Sequence, residues 1–240
     1  MIITQSKIVK IIWFASELET SDMFKFTLYK QSSLTKNKLG FKRVPFYTLV
    51  INLKEDIELI FKNIKKNTRY KINRASREGI KFAIHNDIDF FVAYYNKFAN
   101  SKGLSVLKKD KLIMLGENFI MTKAISKDGD IYVIHSYICD KKLKKVRLLH
   151  SASFYESDYK KVRNLIGMAN RFLHFEDIKY FKENGYEEYD FGGYAYNTQD
   201  KHLQNINAFK AAFGGVLSEQ SDYYSYPLYI SLKIKKLLGK

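Results

Sequence analysis

Tyr189-Asp190-Phe191-Gly192-Gly193-Tyr194, followed by Phe209-Lys210-Ala211-Ala212-Phe213-Gly214-Gly215, is the stretch on which the fold of this chain turns. An acid at a strand end, a glycine pair that accepts positive φ and close approach, and a lysine on a short helix closed by two more glycines predict a phosphate-handling crevice. Phe209 and Phe213 flank Lys210 at helical spacing, so its aliphatic stem is drawn along apolar surface toward that crevice.

Upstream of this stretch, apolar residues at helical spacing predict a long helix over about Tyr159 to Asn184, broken near His174 and stopped by Gly185. It leads into a strand, Tyr186 to Phe191, expected to run parallel to the strand before the helix. Met121 to Ser126, Asp130 to Cys139 and Lys145 to Phe154, separated by short polar turns, predict an antiparallel meander. Further out lie strands at Ile8 to Phe14, Phe24 to Tyr29, Tyr47 to Leu53 and Ile80 to Ile84. Helices are predicted over Glu55 to Glu78, Asp89 to Ser101 and Lys109 to Phe119. Downstream, a helix over Leu203 to Phe213 and a strand over Val216 to Tyr224 precede a basic, amphipathic tail, Tyr229 to Lys240. Simple helical packing with a frayed end is the plainer reading of that tail, and contact with a membrane surface the other. The pattern is α/β: a mixed, mostly antiparallel sheet with helices on both faces and a crevice at the carboxyl ends of its parallel strands.

A chain of 240 residues with 46% hydrophobic content can bury a core of its own. Its net charge of +16 selects for anionic partners without naming one. One cysteine, Cys139, excludes an internal disulfide and a cysteine-built zinc site and fits a reducing, cytoplasmic setting. The five histidines lack metal-binding spacing, so no metal is expected. Gln5, Ser6, Lys7 and Lys10 interrupt the apolar N-terminus before a signal-type core forms, and no apolar run reaches membrane-spanning length. No RNA-recognition, zinc-finger or helix-turn-helix motif is present.

Pro45-Phe46-Tyr47-Thr48 leading into Ile51-Asn52-Leu53, Thr68-Arg69-Tyr70-Lys71-Ile72-Asn73-Arg74-Ala75 with Gly79, and the two glycine-rich motifs carry a family likeness across about residues 45 to 215. In element order the chain resembles the GNAT acyltransferase fold, and in these motifs its Fem-type branch, which includes peptidoglycan-bridge aminoacyl transferases and nucleotide-linked amino-sugar N-acyltransferases. The resemblance implies a GNAT-like domain over residues 55–240 with a β-rich extension over 1–54. It implies transfer of an acyl group from acyl-coenzyme A to the amine of a nucleotide-linked amino sugar for surface-polysaccharide biosynthesis. An aminoacyl-tRNA-dependent bridge transferase and a non-catalytic nucleic-acid binder are the alternatives, and a homodimer is left open. Two features depart from the tRNA-using members: this chain has room for one such domain, and no heptad arm is visible.

Acyl transfer needs a neutral amine, a polarised carbonyl and a proton for the leaving group. Strict alternation along Lys145 to Phe154 sets His150 on the face of Val146, Leu148 and Ala152, with Arg147, Ser151 and Ser153 opposite. An imidazole among apolar groups stays neutral and accepts a proton; a core histidine is the competing reading. Asp190 orients the amine or a sugar hydroxyl, or else caps its turn. Tyr194 or Tyr196 donates to the departing sulfur, or packs. For substrate binding the candidates are Lys210, Arg69, Arg74 and Ser151, with a solvated basic face as the alternative for the arginines. For the donor's phosphates they are Lys161, Arg163, Asn164 and Gly167. There Asn164-Leu165-Ile166-Gly167-Met168-Ala169 stands where the GNAT resemblance implies a glycine-rich anion turn at a helix start, with Asn in place of Gln or Arg.

Overall fold

The computed structural model describes residues 1–6, 8–153 and 160–239, the backbone alone for 160–162. Among these residues the strands are β1 (Ile2–Gln5), β2 (Lys10–Trp13), β3 (Thr27–Ser32), β4 (Phe41–Asn52), β5 (Lys81–His85), β6 (Phe119–Ile125), β7 (Ile131–Asp140), β8 (Lys145–Ser153), β9 (Glu188–Asp190) and β10 (Val216–Ser225). They form a single sheet in the order β1-β2-β3-β10-β4-β9-β8-β7-β6-β5. Its pairs are antiparallel except β2 with β3 and β8 with β9. The helices are α1 (Ile57–Asn63), α2 (Lys66–Arg77), α3 (Ile88–Ser101), α4 (Lys109–Ile113), α5 (Lys160–Glu183), α6 (Lys201–Ala211) and α7 (Tyr226–Leu237).

Strand alternation sorts the core into layers. Val133, Tyr137 and Cys139 of β7 pack with Ile166, Ala169, Leu173 and Phe181 of α5 in the main cluster. Ile134 faces the other way, with Phe91 of α3 and Leu112 of α4. Ile138 shares that second face with Trp13 and Phe14. The helices thus cover both faces, as the element order predicts.

The predicted meander is β6-β7-β8, and α5 is the crossover that parallel β8 and β9 require. β9 pairs with β8 only from Lys145↔Glu188 to Arg147↔Asp190. Beyond that point the chain leans toward β4: Phe191 N–H donates to Leu49 O at 3.0 Å and Tyr194 N–H to Tyr47 O at 2.6 Å. β8 continues from Leu148 to Ser153 without a β9 neighbour, so a slot opens between them. Gly192, at φ +64°, marks its closed end; a Cβ there would lie 2.7 Å from Leu148 O. Pro45, which has no N–H to give, sits on β4 where β9 has already ended.

Several predicted elements change. The helix over Glu55 to Glu78 is two helices, because Ile64 and Lys65 are extended. The end of α6 packs into this break, with Lys65 N–H donating to Ala212 O at 2.9 Å. Helix α5 is unbroken at His174; the ring is accommodated by Phe191, Phe209 and Phe213 around it. The predicted first strand, Ile8 to Phe14, is β2, and an unpredicted β1 pairs with it; the helix over Lys109 to Phe119 shrinks to α4 and a 3-10 turn.

Candidate active site

At the closed end of the slot, Asp190 and Lys210 converge on the diglycine. Buried Asp190 accepts the Gly192 N–H through Oδ1 at 2.6 Å, and Thr48 Oγ1 and Gln31 Nε2 also donate to its carboxylate. Lys210 Nζ, reaching from the last turn of α6, donates to Gly192 O at 2.6 Å and Gly193 O at 2.5 Å. An ammonium has three donors, which leaves one beyond these two. Burial, and then the nearby Arg147 guanidinium, lower the Lys210 pKa to about 8 against an opposing pull from Asp190.

On the opposite face of the sheet two cations crowd one indole. Lys30 Nζ lies 4.5 Å from the Trp13 ring centroid, and the Arg147 guanidinium 5.3 Å from Trp13 and 5.6 Å from Phe46. Arg147 Nε is buried without a hydrogen-bond partner. Neither side chain forms an ion pair or hydrogen bond among the described residues. The nearest acids act through space: Asp190 and Asp222 on Arg147, Asp222 on Lys30. Burial and then mutual repulsion push the Lys30 pKa down.

His150 joins this second face, which corrects the strict alternation. A bulge between β7 and β8 skips Leu149: Tyr137 pairs with Leu148, yet Ser136 pairs with His150. One extra residue reverses every side chain after it. His150 and Ala152 therefore share the face of Arg147, and Ser151 that of Val146 and Leu148. The His150 ring packs edge-on against Tyr95, 5.0 Å between centroids, and Nδ1 is 2.8 Å from Ser136 Oγ. Burial first, then Arg147 and Lys30, push its pKa down to about 4. The imidazole is neutral at pH 7, ready to accept a proton but holding it weakly.

Other predicted residues are engaged elsewhere. Arg69 Nη1 donates to Lys62 O at 2.6 Å and Ile64 O at 2.5 Å, closing the carbonyl end of α1. Arg74 is exposed and pairs with Glu78 at 3.3 Å. Asn164 to Ala169 lie inside α5, not at its start, so their N–H groups serve carbonyls one turn back and offer no anion turn. Gly167 O accepts from Arg171 at 2.8 Å. Arg163 and Asn164 are exposed on α5, and the Lys161 side chain lies outside the described residues. Tyr194 borders a shallow groove with Pro45, Phe46, Tyr47 and Tyr196, where Tyr196 stacks on Tyr47 at 4.4 Å.

A fully buried network beneath α5 escaped the sequence reading. Tyr137 OH donates to Asp177 Oδ2 at 2.5 Å, His135 Nδ1 is 2.8 Å from that oxygen, and Tyr189 OH lies 2.9 Å from Tyr137 OH and 2.8 Å from His174 Nδ1. Spacing of three on α5 puts His174 and Asp177 on one helix face, a signal available in the sequence; their partners on β7 and β9 had none. His135, His174 and Asp177 are the set among the described residues whose ligand-type atoms lie within 4.8 Å of one another. Hydrogen bonding within the network accounts for most of their donors and acceptors, leaving Asp177 Oδ1 without a partner.

No protein-family model matches the sequence, and no curated protein matches it. Solved structures do match in fold. FemX superposes with a TM-score of 0.66 at 13% identity, over 97% of this chain and 83% of its own. The C-terminal domain of a protein designated a lysylphosphatidylglycerol synthetase, from Agrobacterium fabrum, gives 0.62 at 12% identity over 98% and 84%. L-PGS from Bacillus licheniformis gives 0.58 at 12% over 99% and 85%. The chain thus has the mixed α/β, GNAT-type fold that its motifs resemble.

Proposed function

We propose that this protein is an N-acyltransferase that moves an acyl group from acyl-coenzyme A to the amine of a nucleotide-linked amino sugar in the cytoplasm. The observation that carries the reading is the slot between β8 and β9, with Lys210 at its closed end and the unpaired Lys30–Arg147 pair on the far face. Two neighbouring desolvated cations that make no hydrogen-bonded ion pair among the described residues are costly, and a bound diphosphate offsets that cost through charge-assisted hydrogen bonds.

The donor carbonyl would lie in the slot and the acceptor amine would approach from the Arg147 face. The amine nitrogen attacks the carbonyl carbon, the carbon–sulfur bond breaks, and the proton lost by the amine reaches the departing thiolate. Neutral His150 is suited to pass that proton on because it does not retain it. Lys210 and the backbone freed at the β8 bulge supply positive potential for the oxyanion. Tyr194, the residue that follows the glycine pair, is the phenol we assign to protonating sulfur. A covalent thioester on the enzyme is disfavoured: Cys139 is buried and burial pushes its pKa up, so the thiolate nucleophile is missing.

Thiol release from acyl-coenzyme A in the presence of dTDP- or UDP-linked amino sugars tests the reading. We expect release that requires both substrates; none across a broad panel overturns it. An aminoacyl-tRNA donor is the second reading, favoured by the position of Asn164 to Ala169 inside α5, where these residues form no turn for the coenzyme's pyrophosphate. Ribonuclease-sensitive transfer would select it.

A further inference from the structure

We infer that α7 and the loops around its start dock this protein onto the surface of an anionic phospholipid bilayer. Tyr226, Ile230, Ile234 and Leu237 recur every three or four residues and share one helix face, yet each is 48% to 85% exposed. From Leu232 to Gly239 every residue is exposed, so no other described element covers the outer half of α7. Two more exposed apolar side chains are held beside its start. Ser225 Oγ donates to Lys25 O at 2.5 Å, next to Phe24, and Tyr226 N–H to Gly40 O at 3.2 Å, next to Leu39. Phe24 is 75% exposed and Leu39 91%.

Charge selects the occupant. Lys233, Lys235 and Lys236 on α7 and Lys36, Lys38 and Lys42 near its start are exposed, and residues 226 to 240 contain no acid. A second copy would bring the same lysines to a self-complementary interface on a chain already at +16. An anionic lipid surface instead takes apolar side chains between its headgroups and lysines against its phosphates. The geometry agrees with use: β9 runs antiparallel to β4, so the slot opens toward the Phe41 end of β4, where Phe41 pairs with Ser225 just ahead of α7.

Flotation of the full chain with vesicles tests this independently of the transfer chemistry. With phosphatidylcholine vesicles containing about one-third phosphatidylglycerol we expect flotation that weakens between about 0.1 M and about 0.5 M salt, as screening requires. The triple variant Ile230→Asp, Ile234→Asp, Leu237→Asp should bind these vesicles at least about tenfold less well with an unchanged melting profile, since its sites are exposed. Failure of the wild type to float, or equal flotation by the triple variant, overturns the inference. So does a lipid-free dimer in analytical ultracentrifugation that the same substitutions dissolve.

Discussion

Asp190 and Lys210 act on one residue: Asp190 Oδ1 accepts the Gly192 N–H at 2.6 Å, and Lys210 Nζ donates to the Gly192 carbonyl at 2.6 Å. Opposite charges therefore hold both polar groups of the glycine that closes the slot. Arg147 approaches the same residue from the other face, its Nη2 3.5 Å from the position a Gly192 Cβ would take.

Gly192→Ala should cost about 2–4 kcal/mol, because it combines a positive-φ strain with a clash against Leu148 O. Gly167→Ala, where an added Cβ meets nothing nearer than 4.0 Å, should be neutral or stabilising by up to about 1 kcal/mol. Urea titration of the two variants checks the contrast, and an unchanged donor KM in Gly167→Ala would remove that glycine from donor binding.

Lys210→Met leaves two carbonyls without their donor and should lower transfer about 100-fold or more. With the folded pKa at about 8 and the reference at 10.5, the folded state binds fewer protons between those values. The wild type should therefore gain stability from pH 8 toward 10.5 relative to Lys210→Met, while its rate falls above pH 8 if the ammonium is the working form. A rate profile flat to pH 10 would take the ammonium out of the mechanism.

Lys30→Met should raise thermal stability and weaken the acceptor at once. Removing one of the two neighbouring cations relieves their mutual repulsion and the desolvation of the Lys30 ammonium. We expect the acceptor KM to rise about tenfold or more with a smaller change in kcat. Loss of stability without a change in KM would mean that Lys30 serves packing.

His150→Asn should blunt acid unfolding. The folded pKa near 4 lies below the reference 6.5, so the unfolded chain takes up the proton first and the wild type loses stability as pH falls from 6.5 to 4. Denaturant midpoints at pH 7 and about pH 4.5 should differ less in the variant; equal differences would show that His150 titrates normally.

The joining of Asp190 and Lys210 was expected chiefly from the resemblance of the two glycine-rich motifs to the Fem-type branch; spacing alone left Asp190 equally free to cap its own turn. Arg69 was misjudged because cationic spacing on a helix says nothing of a helix break at Ile64, whose carbonyl it caps. His150 was placed on the wrong face because a bulge costs no distinctive residue: Leu149 fits an alternating pattern as well as any leucine. Lys30 and Arg147 stood far apart in the chain, and nothing local marks two cations that meet over Trp13.

By itself the sequence determined most of the order of strands and helices, the meander and the parallel crossover, because periodicity and glycine placement are local properties, while the meeting of the acid-diglycine and lysine motifs was expected from their family resemblance. Tertiary structure alone decided which face His150 takes, that Arg69 is spent as a helix cap, and that Lys30 and Arg147 lie together without a hydrogen-bonded ion pair. Those outcomes depend on register and on long-range desolvation, which arise only when distant strands pair and exclude water between them.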